Sequence, residues 1–114
     1  MVRVDSEMPR SSLVCEQGGN GTIQAVEVLP FSQLGGTIKM CKRFIFPPAS
    51  SIGRHTHHGE SEIYYVLEGT AVVTENNQDK MLHAGDAAVC TDGQTHSIKN
   101  PSATMTMQIL AFIA

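Results

Sequence analysis

The feature that most constrains the fold is a series of short β-branched and aromatic runs separated by Gly, Pro and Asn. From Thr22 onward, eight such runs cover 22–29, 37–46, 62–67, 70–75, 79–83, 86–91, 95–99 and 104–113. No stretch of about eleven residues keeps a helical apolar period, so no helix is available for a parallel crossover between strands. The pattern predicts an all-β fold, an antiparallel sandwich or barrel of eight strands.

The length of the chain indicates one structural unit. Its 114 residues are the usual size of one domain. Residues 1–20 are polar and lead into Gly18-Gly19-Asn20-Gly21, which is typical of an arm followed by a turn. We therefore expect an N-terminal arm over 1–21 and a single domain over 22–114.

Charge and cysteine usage exclude several classes of partner. The net charge is −3, and no basic stretch is longer than Lys42-Arg43, so we expect no binding to nucleic acid. The longest apolar run, 109–114, is far shorter than the roughly 20 residues that span a bilayer, and the N-terminus lacks the apolar core of a signal peptide. We therefore expect no membrane association and a cytoplasmic location.

The three cysteines do not form a recognisable motif. Cys15, Cys41 and Cys90 form no Cys-x-x-Cys pair, which argues against a disulfide framework or thiolate zinc site.

A cluster of histidines is the candidate functional feature. His55 and His57 are two residues apart, so in an extended chain their side chains leave the same face. Glu62 begins the next predicted strand and His96 lies in a later one. Three imidazole nitrogens and one carboxylate oxygen suit Mn, Fe, Co, Ni or Zn. The alternative is a solvated loop, which is the interpretation we give to His58 and His83.

The spacing around these residues resembles the two signatures of the cupin superfamily. His55-x-His57, four residues, Glu62, six residues and Gly69 are similar to the first signature. The second signature is similar to the following series: Gly85, five residues, Thr91, one residue, Gly93, two residues, His96, three residues and Asn100. Two positions depart from the pattern, because Ala49 stands where the family has its first glycine and Thr91 where it has proline.

The resemblance implies a fold, a ligand set and a cofactor. The fold would be a double-stranded β-helix, the jelly-roll barrel of cupins, in the small single-domain group described as oxalate-decarboxylase-like or germin-like. By resemblance the metal ligands are His55, His57, Glu62 and His96, while the signature glycines and Asn100 form turns. The implied cofactor is one divalent transition metal, Mn or Fe first, with Zn, Ni or Co as alternatives.

Such a site would suit a small oxygen-rich acid. Four protein ligands leave two positions open on a six-coordinate metal, so a carboxylate or an oxygen species could bind beside water. Tyr64 is expected to share the face of Glu62 and is our candidate catalytic acid or base; the alternative is a tyrosine that only orients a ligand or a wall carbonyl. Arg43 is the candidate substrate-binding cation, the alternative being a solvated surface charge. Lys42 lies on the other face of that strand.

Three function classes remain open. The first is a metal-dependent decarboxylase, dioxygenase, isomerase or lyase acting on a small carboxylate, although the sequence shows no acidic lid segment of the oxalate-decarboxylase kind. The second is a non-catalytic module that binds a metal or a small molecule. The third, a structural zinc domain, is disfavoured by the absence of nearby thiolates. The apolar outer face of Ile63, Tyr65 and Leu67 predicts a homodimer.

Overall fold

The computed structural model describes residues 1–114 as ten β-strands and three helical turns of three residues each. The strands are β1 (Arg10–Val14), β2 (Thr22–Leu29), β3 (Met40–Phe46), β4 (Ser51–Thr56), β5 (Glu62–Glu68), β6 (Thr70–Glu75), β7 (Gln78–His83), β8 (Ala87–Cys90), β9 (Thr95–Lys99) and β10 (Met107–Ile113). The turns are Asp5–Glu7, Glu16–Gly18 and Phe31–Gln33. The chain contains no helix with the length and apolar character needed to cross a membrane.

The strands form two antiparallel sheets. The larger sheet has the order β1-β2-β3-β10-β5-β8, and the smaller has the order β4-β9-β6-β7. This arrangement confirms the all-β prediction and fits a cupin jelly roll. The two sheets are not joined by strand pairing into a closed barrel, which corrects the expectation of a continuous barrel.

The core lies between the inner faces of the two sheets. On β5, Tyr64 and Val66 are buried while Ile63 and Tyr65 are exposed, as the period-two alternation of a half-buried strand requires. The buried cluster draws residues from both sheets, among them Phe46, Val73, Ile98 and Ile109. Its burial holds the inner faces together and fixes the register of every strand that contributes to it.

Two strands were missed by the sequence analysis, which expected eight. β1, with the sequence Arg-Ser-Ser-Leu-Val, pairs with β2 at the edge of the larger sheet. It lies within the segment expected to be an arm. β4, with the sequence Ser-Ile-Gly-Arg-His-Thr, pairs with β9 at the edge of the smaller sheet. An edge strand buries little surface and can therefore be polar. Neither strand has the apolar pattern from which the other strands were predicted.

The two departures from the cupin signatures have local structural consequences. Ala49 adopts a φ of +63°, a left-handed conformation in which glycine is favoured because it has no Cβ. The Thr91 amide donates a hydrogen bond to Oε1 of Gln94 over 2.9 Å, which a proline in this position would lack. Asn100 is buried, and its amide donates to the carbonyls of Phe46 and Met105, so it ties two loops together as expected of a turn-forming residue.

The N-terminal segment is held against β4 by the close approach of two glycines. A Cβ on Gly53 would lie 2.1 Å from the Gln17 carbonyl oxygen, and a Cβ on Gly19 would lie 2.2 Å from the Ser51 carbonyl oxygen. Neither gap accommodates a side chain without movement of the backbone. The helical turn Glu16–Gly18 therefore packs directly on β4, the strand that carries His55.

Replacing Gly53 with alanine should displace the turn Glu16–Gly18 and destabilise the fold. We expect the free energy of unfolding to fall by about 2 kcal/mol, since an added methyl here meets rigid backbone. Urea unfolding measures the loss, and hydrogen exchange of residues 10–21 locates it. Gly35→Ala is the matched control because no atom lies within 4 Å of its added Cβ. Equal stability of the two variants would contradict the packing described here.

Candidate metal centre

The four predicted ligands come from neighbouring parts of both sheets. His55 lies on β4 directly opposite His96 on β9, so the two side chains leave the same face. His57 follows the end of β4, and Glu62 begins β5 in the facing sheet. Glu62 and His96 are buried, and the side chains of His55 and His57 are 13% and 8% exposed.

The ligand atoms of these four side chains converge on one point. Nε2 of His96 lies 3.0 Å from Nε2 of His55 and 3.1 Å from Nε2 of His57. Oε1 of Glu62 lies 3.0 Å from Nε2 of both His57 and His96, and 3.5 Å from Nε2 of His55. All four atoms lie within 4.8 Å of one another. The structure thus brings together the four residues that the sequence pattern selected.

These separations fit a divalent transition metal. Donor atoms bound at about 2.1 Å in adjacent octahedral positions are about 3.0 Å apart, and in tetrahedral positions about 3.4 Å apart. Hydrogen bonds among the three imidazoles cannot satisfy all three Nε2 atoms at this separation, because a neutral imidazole has only one N–H donor. A cation shared by His55, His57 and His96 gives all three nitrogens a partner.

Two of the three histidines have the tautomer that a metal requires. Nδ1 of His55 donates to the Gly53 carbonyl over 2.8 Å, and Nδ1 of His57 donates to Oε2 of Glu60 over 2.9 Å. A neutral imidazole that donates from Nδ1 carries its lone pair on Nε2. Acceptors of this kind orient the ligand rings and raise their basicity. Nδ1 of His96 is buried and has no hydrogen-bond partner.

Charge at the centre favours an ionised Glu62. Burial opposes ionisation, but hydrogen bonds from His55, His96 and Tyr64 outweigh it and lower the pKa of Glu62 from 4.5 to about 2. For His55, burial opposes protonation, yet hydrogen bonds to Glu62 and the Gly53 carbonyl raise its pKa above the ordinary 6.5. In the absence of a metal, the carboxylate therefore favours a proton on His55; a divalent cation would replace this proton.

Tyr64 lies against the ligand set. Its ring stacks on the ring of His96 with centroids 4.9 Å apart and planes 3° from parallel. Its hydroxyl lies 3.4 Å from Nε2 of His96. Burial, followed by the negative charge of Glu62, raises the pKa of Tyr64 well above its ordinary value of 10. The phenol therefore keeps its proton and acts as a hydrogen-bond donor.

The centre opens into a cavity of about 650 Å³. His55, His57, Glu62 and Tyr64 lie on its wall together with apolar side chains. The apolar residues are Leu13, Met40, Phe44, Ile52 and Ile113. A site enclosed on all sides by protein ligands would be structural, whereas this one has room for a small molecule beside the ligands.

The structure does not bring Arg43 to this cavity. Its guanidinium donates to Oε1 of Gln108 over 2.6 Å and to Oδ1 of Asp5 over 2.9 Å, on the opposite face of β3. Lys42 lies on the cavity wall instead. The cation on the cavity wall is therefore Lys42 and not our candidate Arg43, whose guanidinium lies on the other face of β3.

The cavity also has polar lining residues that the sequence analysis did not assign to the site. Glu16 and Gln17 line the cavity from the N-terminal helical turn, and His58 and Glu60 line it from the β4–β5 connection. Glu60 orients His57, and this contact lowers the pKa of Glu60, with help from Lys39. The spacing of Glu60 three residues after His57 was the available signal. Nothing in the sequence indicated that Glu16 would reach the cavity, because its placement depends on the contact between Gly19 and Gly53.

Comparison with known proteins agrees with this geometry. The profile of the family described as Cupin domain matches residues 42–113. The chain is 34% identical over 113 residues to an oxalate-binding protein of Thermotoga maritima, a match that covers 99% of this chain and 93% of the relative.

Solved structures show the same fold. The crystal structure of a predicted oxalate decarboxylase from Thermotoga maritima superposes with a TM-score of 0.93 at 34% identity, over 99% of this chain and 97% of the other. The polyketide cyclase RemF from Streptomyces resistomycificus superposes with a TM-score of 0.79 at 22% identity, over 99% of this chain and 78% of the other. The second similarity concerns the fold alone.

Proposed function

This chain belongs to the cupin family, and on that premise we propose that it is a metal-dependent enzyme acting on a small carboxylate or another oxygen-rich metabolite. The observation that carries the proposal is the convergence of four ligand atoms, with His55, His57 and Glu62 on the wall of an open cavity. The relative from Thermotoga maritima named for oxalate binding supports a carboxylate ligand. The reaction class is a decarboxylation, an oxygenation, or an isomerisation or elimination.

The cofactor would be one divalent transition metal held by His55, His57, Glu62 and His96, with Mn or Fe preferred over Zn, Ni or Co. When bound, it would polarise carboxylate oxygens as a Lewis acid and, if redox-active, engage dioxygen. Lys42 would attract an anionic substrate into the cavity. The apolar side of the cavity would receive the rest of the substrate and exclude water from it.

Tyr64 is the candidate catalytic residue in this proposal. Its hydroxyl lies beside the ligands, and burial keeps its proton in place. It would donate a hydrogen bond to an oxygen that gains negative charge during the reaction. Its stacking on His96 supports a second contribution, the orientation of that ligand ring.

The test of the function is binding and turnover with a panel of acids. The purified protein is loaded with Mn²⁺, and electron paramagnetic resonance is followed during addition of oxalate and of 2-oxo acids, with parallel assays of product formation and dioxygen uptake. A spectral change with turnover supports the enzyme. Binding without turnover of any acid would favour the alternative function, a non-catalytic cupin that binds a metal or a small molecule. No spectral change with any acid would exclude carboxylates as ligands.

Lys42→Ala should weaken oxalate binding to the metal-loaded protein about tenfold, because a charge-assisted contact is lost. Calorimetric titration with oxalate measures the dissociation constant. Arg43→Ala is the matched control, since it removes a neighbouring cation from the opposite face of β3, and its dissociation constant should stay within about twofold of the parent. A larger effect of Arg43→Ala would show that the substrate approaches from the other face.

A homodimer stays part of the proposal. Ile63, Tyr65 and Leu67 are 38%, 43% and 42% exposed on the outer face of the larger sheet. An apolar row of this kind is typical of a surface that a partner covers.

A further inference from the structure

His96 differs from the other two ligand histidines because its Nδ1 has no hydrogen-bond partner. The rings of His55 and His57 each donate from Nδ1 to an acceptor at 2.8 or 2.9 Å. His96 is 1% exposed, and its Nδ1 has no partner. If Nε2 of His96 binds a metal, the proton of its neutral ring lies on Nδ1. A buried N–H group without an acceptor is destabilising, so an acceptor is expected nearby.

A second buried polar atom without a partner lies on the adjacent strand. Oε1 of Glu75 is buried and accepts no hydrogen bond. These are the two buried side-chain polar atoms of the molecule that lack a partner. Nδ1 of His96 is a hydrogen-bond donor when His96 is a metal ligand, and Oε1 of Glu75 is an acceptor.

The sheet register places these two residues side by side. Glu75 on β6 lies directly opposite His96 on β9. Opposed residues in an antiparallel pair project from the same face of the sheet. Two residues earlier on β6, Val73 lies opposite Ile98, and both are buried in the core. Glu75 and His96 therefore point toward the interior of the molecule from adjacent strands.

The turn that follows Glu75 fixes the register of β6 against β7. Asn76 and Asn77 both have positive φ, +51° and +60°, as a two-residue hairpin turn requires. Glu75 and Gln78 are the pair that closes the hairpin. The turn thus fixes the place of Glu75 at the end of β6, and the pairing of β6 with β9 then sets it opposite His96.

We propose that Glu75 is a positioning residue for the metal centre, which accepts a hydrogen bond from Nδ1 of His96 directly or through one water molecule. Glu75 thereby completes the set in which each ligand histidine has an acceptor: the Gly53 carbonyl for His55, Glu60 for His57 and Glu75 for His96. The carboxylate keeps Nε2 of His96 unprotonated and holds its ring toward the metal. This inference rests on the metal centre proposed above and not on any reaction.

The experiment compares Glu75→Ala and Glu75→Gln with the parent protein, with Zn²⁺ as a diamagnetic probe. Calorimetry gives the Zn²⁺ dissociation constant, and ¹⁵N–¹H spectra of the Zn²⁺-loaded protein give the chemical shift of the His96 Nδ1 proton. We expect Glu75→Ala to weaken Zn²⁺ binding tenfold to a hundredfold and to move the Nδ1 proton upfield. Glu75→Gln, which keeps a neutral acceptor, should fall between Glu75→Ala and the parent in both measurements.

Glu68→Ala is the matched control, since it removes an exposed glutamate on β5 and should change neither measurement. A Zn²⁺ affinity of Glu75→Ala within twofold of the parent overturns the proposal. So does a weakened affinity with an unchanged Nδ1 proton shift, because that combination indicates a merely structural effect. If Glu75→Ala does not fold, the Nδ1 shift of Glu75→Gln decides. A parent protein that binds no Zn²⁺ overturns the metal centre and this inference together, whereas a parent that binds Zn²⁺ isolates the contribution of Glu75.

Discussion

His96→Ala should lower the affinity of the protein for Mn²⁺ or Zn²⁺ by more than about a hundredfold. His96 supplies the nitrogen that lies 3.0–3.1 Å from the ligand atoms of all three partners. Loss of an outer acceptor alone costs tenfold to a hundredfold in affinity, so loss of a ligand costs more. His57→Ala should have an effect of the same size. Equilibrium dialysis followed by elemental analysis measures the occupancy.

His83→Ala is the control for both substitutions. His83 ends β7, its side chain is 66% exposed, and it lies outside the cavity. Its removal should leave the metal content unchanged. Full occupancy in His96→Ala or His57→Ala would show that the ion binds elsewhere and that the ligand assignment is wrong.

The metal-free protein should lose about 3 kcal/mol of stability between pH 4.5 and pH 2 through Glu62. Its pKa is about 2 in the folded protein against an ordinary 4.5, and each unit corresponds to about 1.4 kcal/mol. A carboxyl group with a lowered folded pKa stabilises the fold above its unfolded pKa, and this stabilisation is lost as pH falls through the folded value. Urea unfolding of chelator-treated protein at a series of pH values measures the loss.

Glu62→Gln should remove this part of the acid dependence. Glu68→Gln, on the same strand but exposed, should keep it. An acid dependence of Glu62→Gln as steep as that of the parent would contradict the role given to Glu62.

His55 responds in the opposite sense. Its folded pKa is raised above 6.5, so its stabilisation of the metal-free protein is complete below pH 6.5 and is lost as pH rises through the folded value. A metal requires the same imidazole without its proton. The stabilisation by added metal should therefore increase as pH rises above 6.5, which the same series of unfolding experiments measures when repeated with Zn²⁺.

The sequence predicted the strands whose apolar residues face the core. The bounds of β2, β6 and β9 agree with the predicted runs 22–29, 70–75 and 95–99. β3 and β10 each begin three residues later than predicted, at Met40 and Met107, because β-branched residues continue into the preceding loops. The polar edge strands β1 and β4 escaped detection, since pairing at an edge needs backbone groups and little apolar surface.

The ligand set was predictable and its surroundings were not. The spacing of His55, His57, Glu62 and His96 is a property of the chain itself, so it can be read without a structure. The acceptors of the ring protons come from residues whose proximity depends on tertiary packing. Glu75 reaches His96 only through the pairing of β6 with β9, and Lys42 was distinguished from Arg43 only when the inner face of β3 was known.

The proposed metal centre is tested most directly by the amount of metal bound per chain and the access of water to that metal. Protein is stripped with a chelator, loaded with Mn²⁺ and dialysed, and the manganese content is measured together with the water-proton relaxation rate. We expect one ion per chain, a relaxation rate raised by water exchanging at the open positions, and a decrease of that rate when oxalate is added. Failure of the stripped protein to take up any ion, or one ion with no exchanging water, would contradict an open centre built from His55, His57, Glu62 and His96.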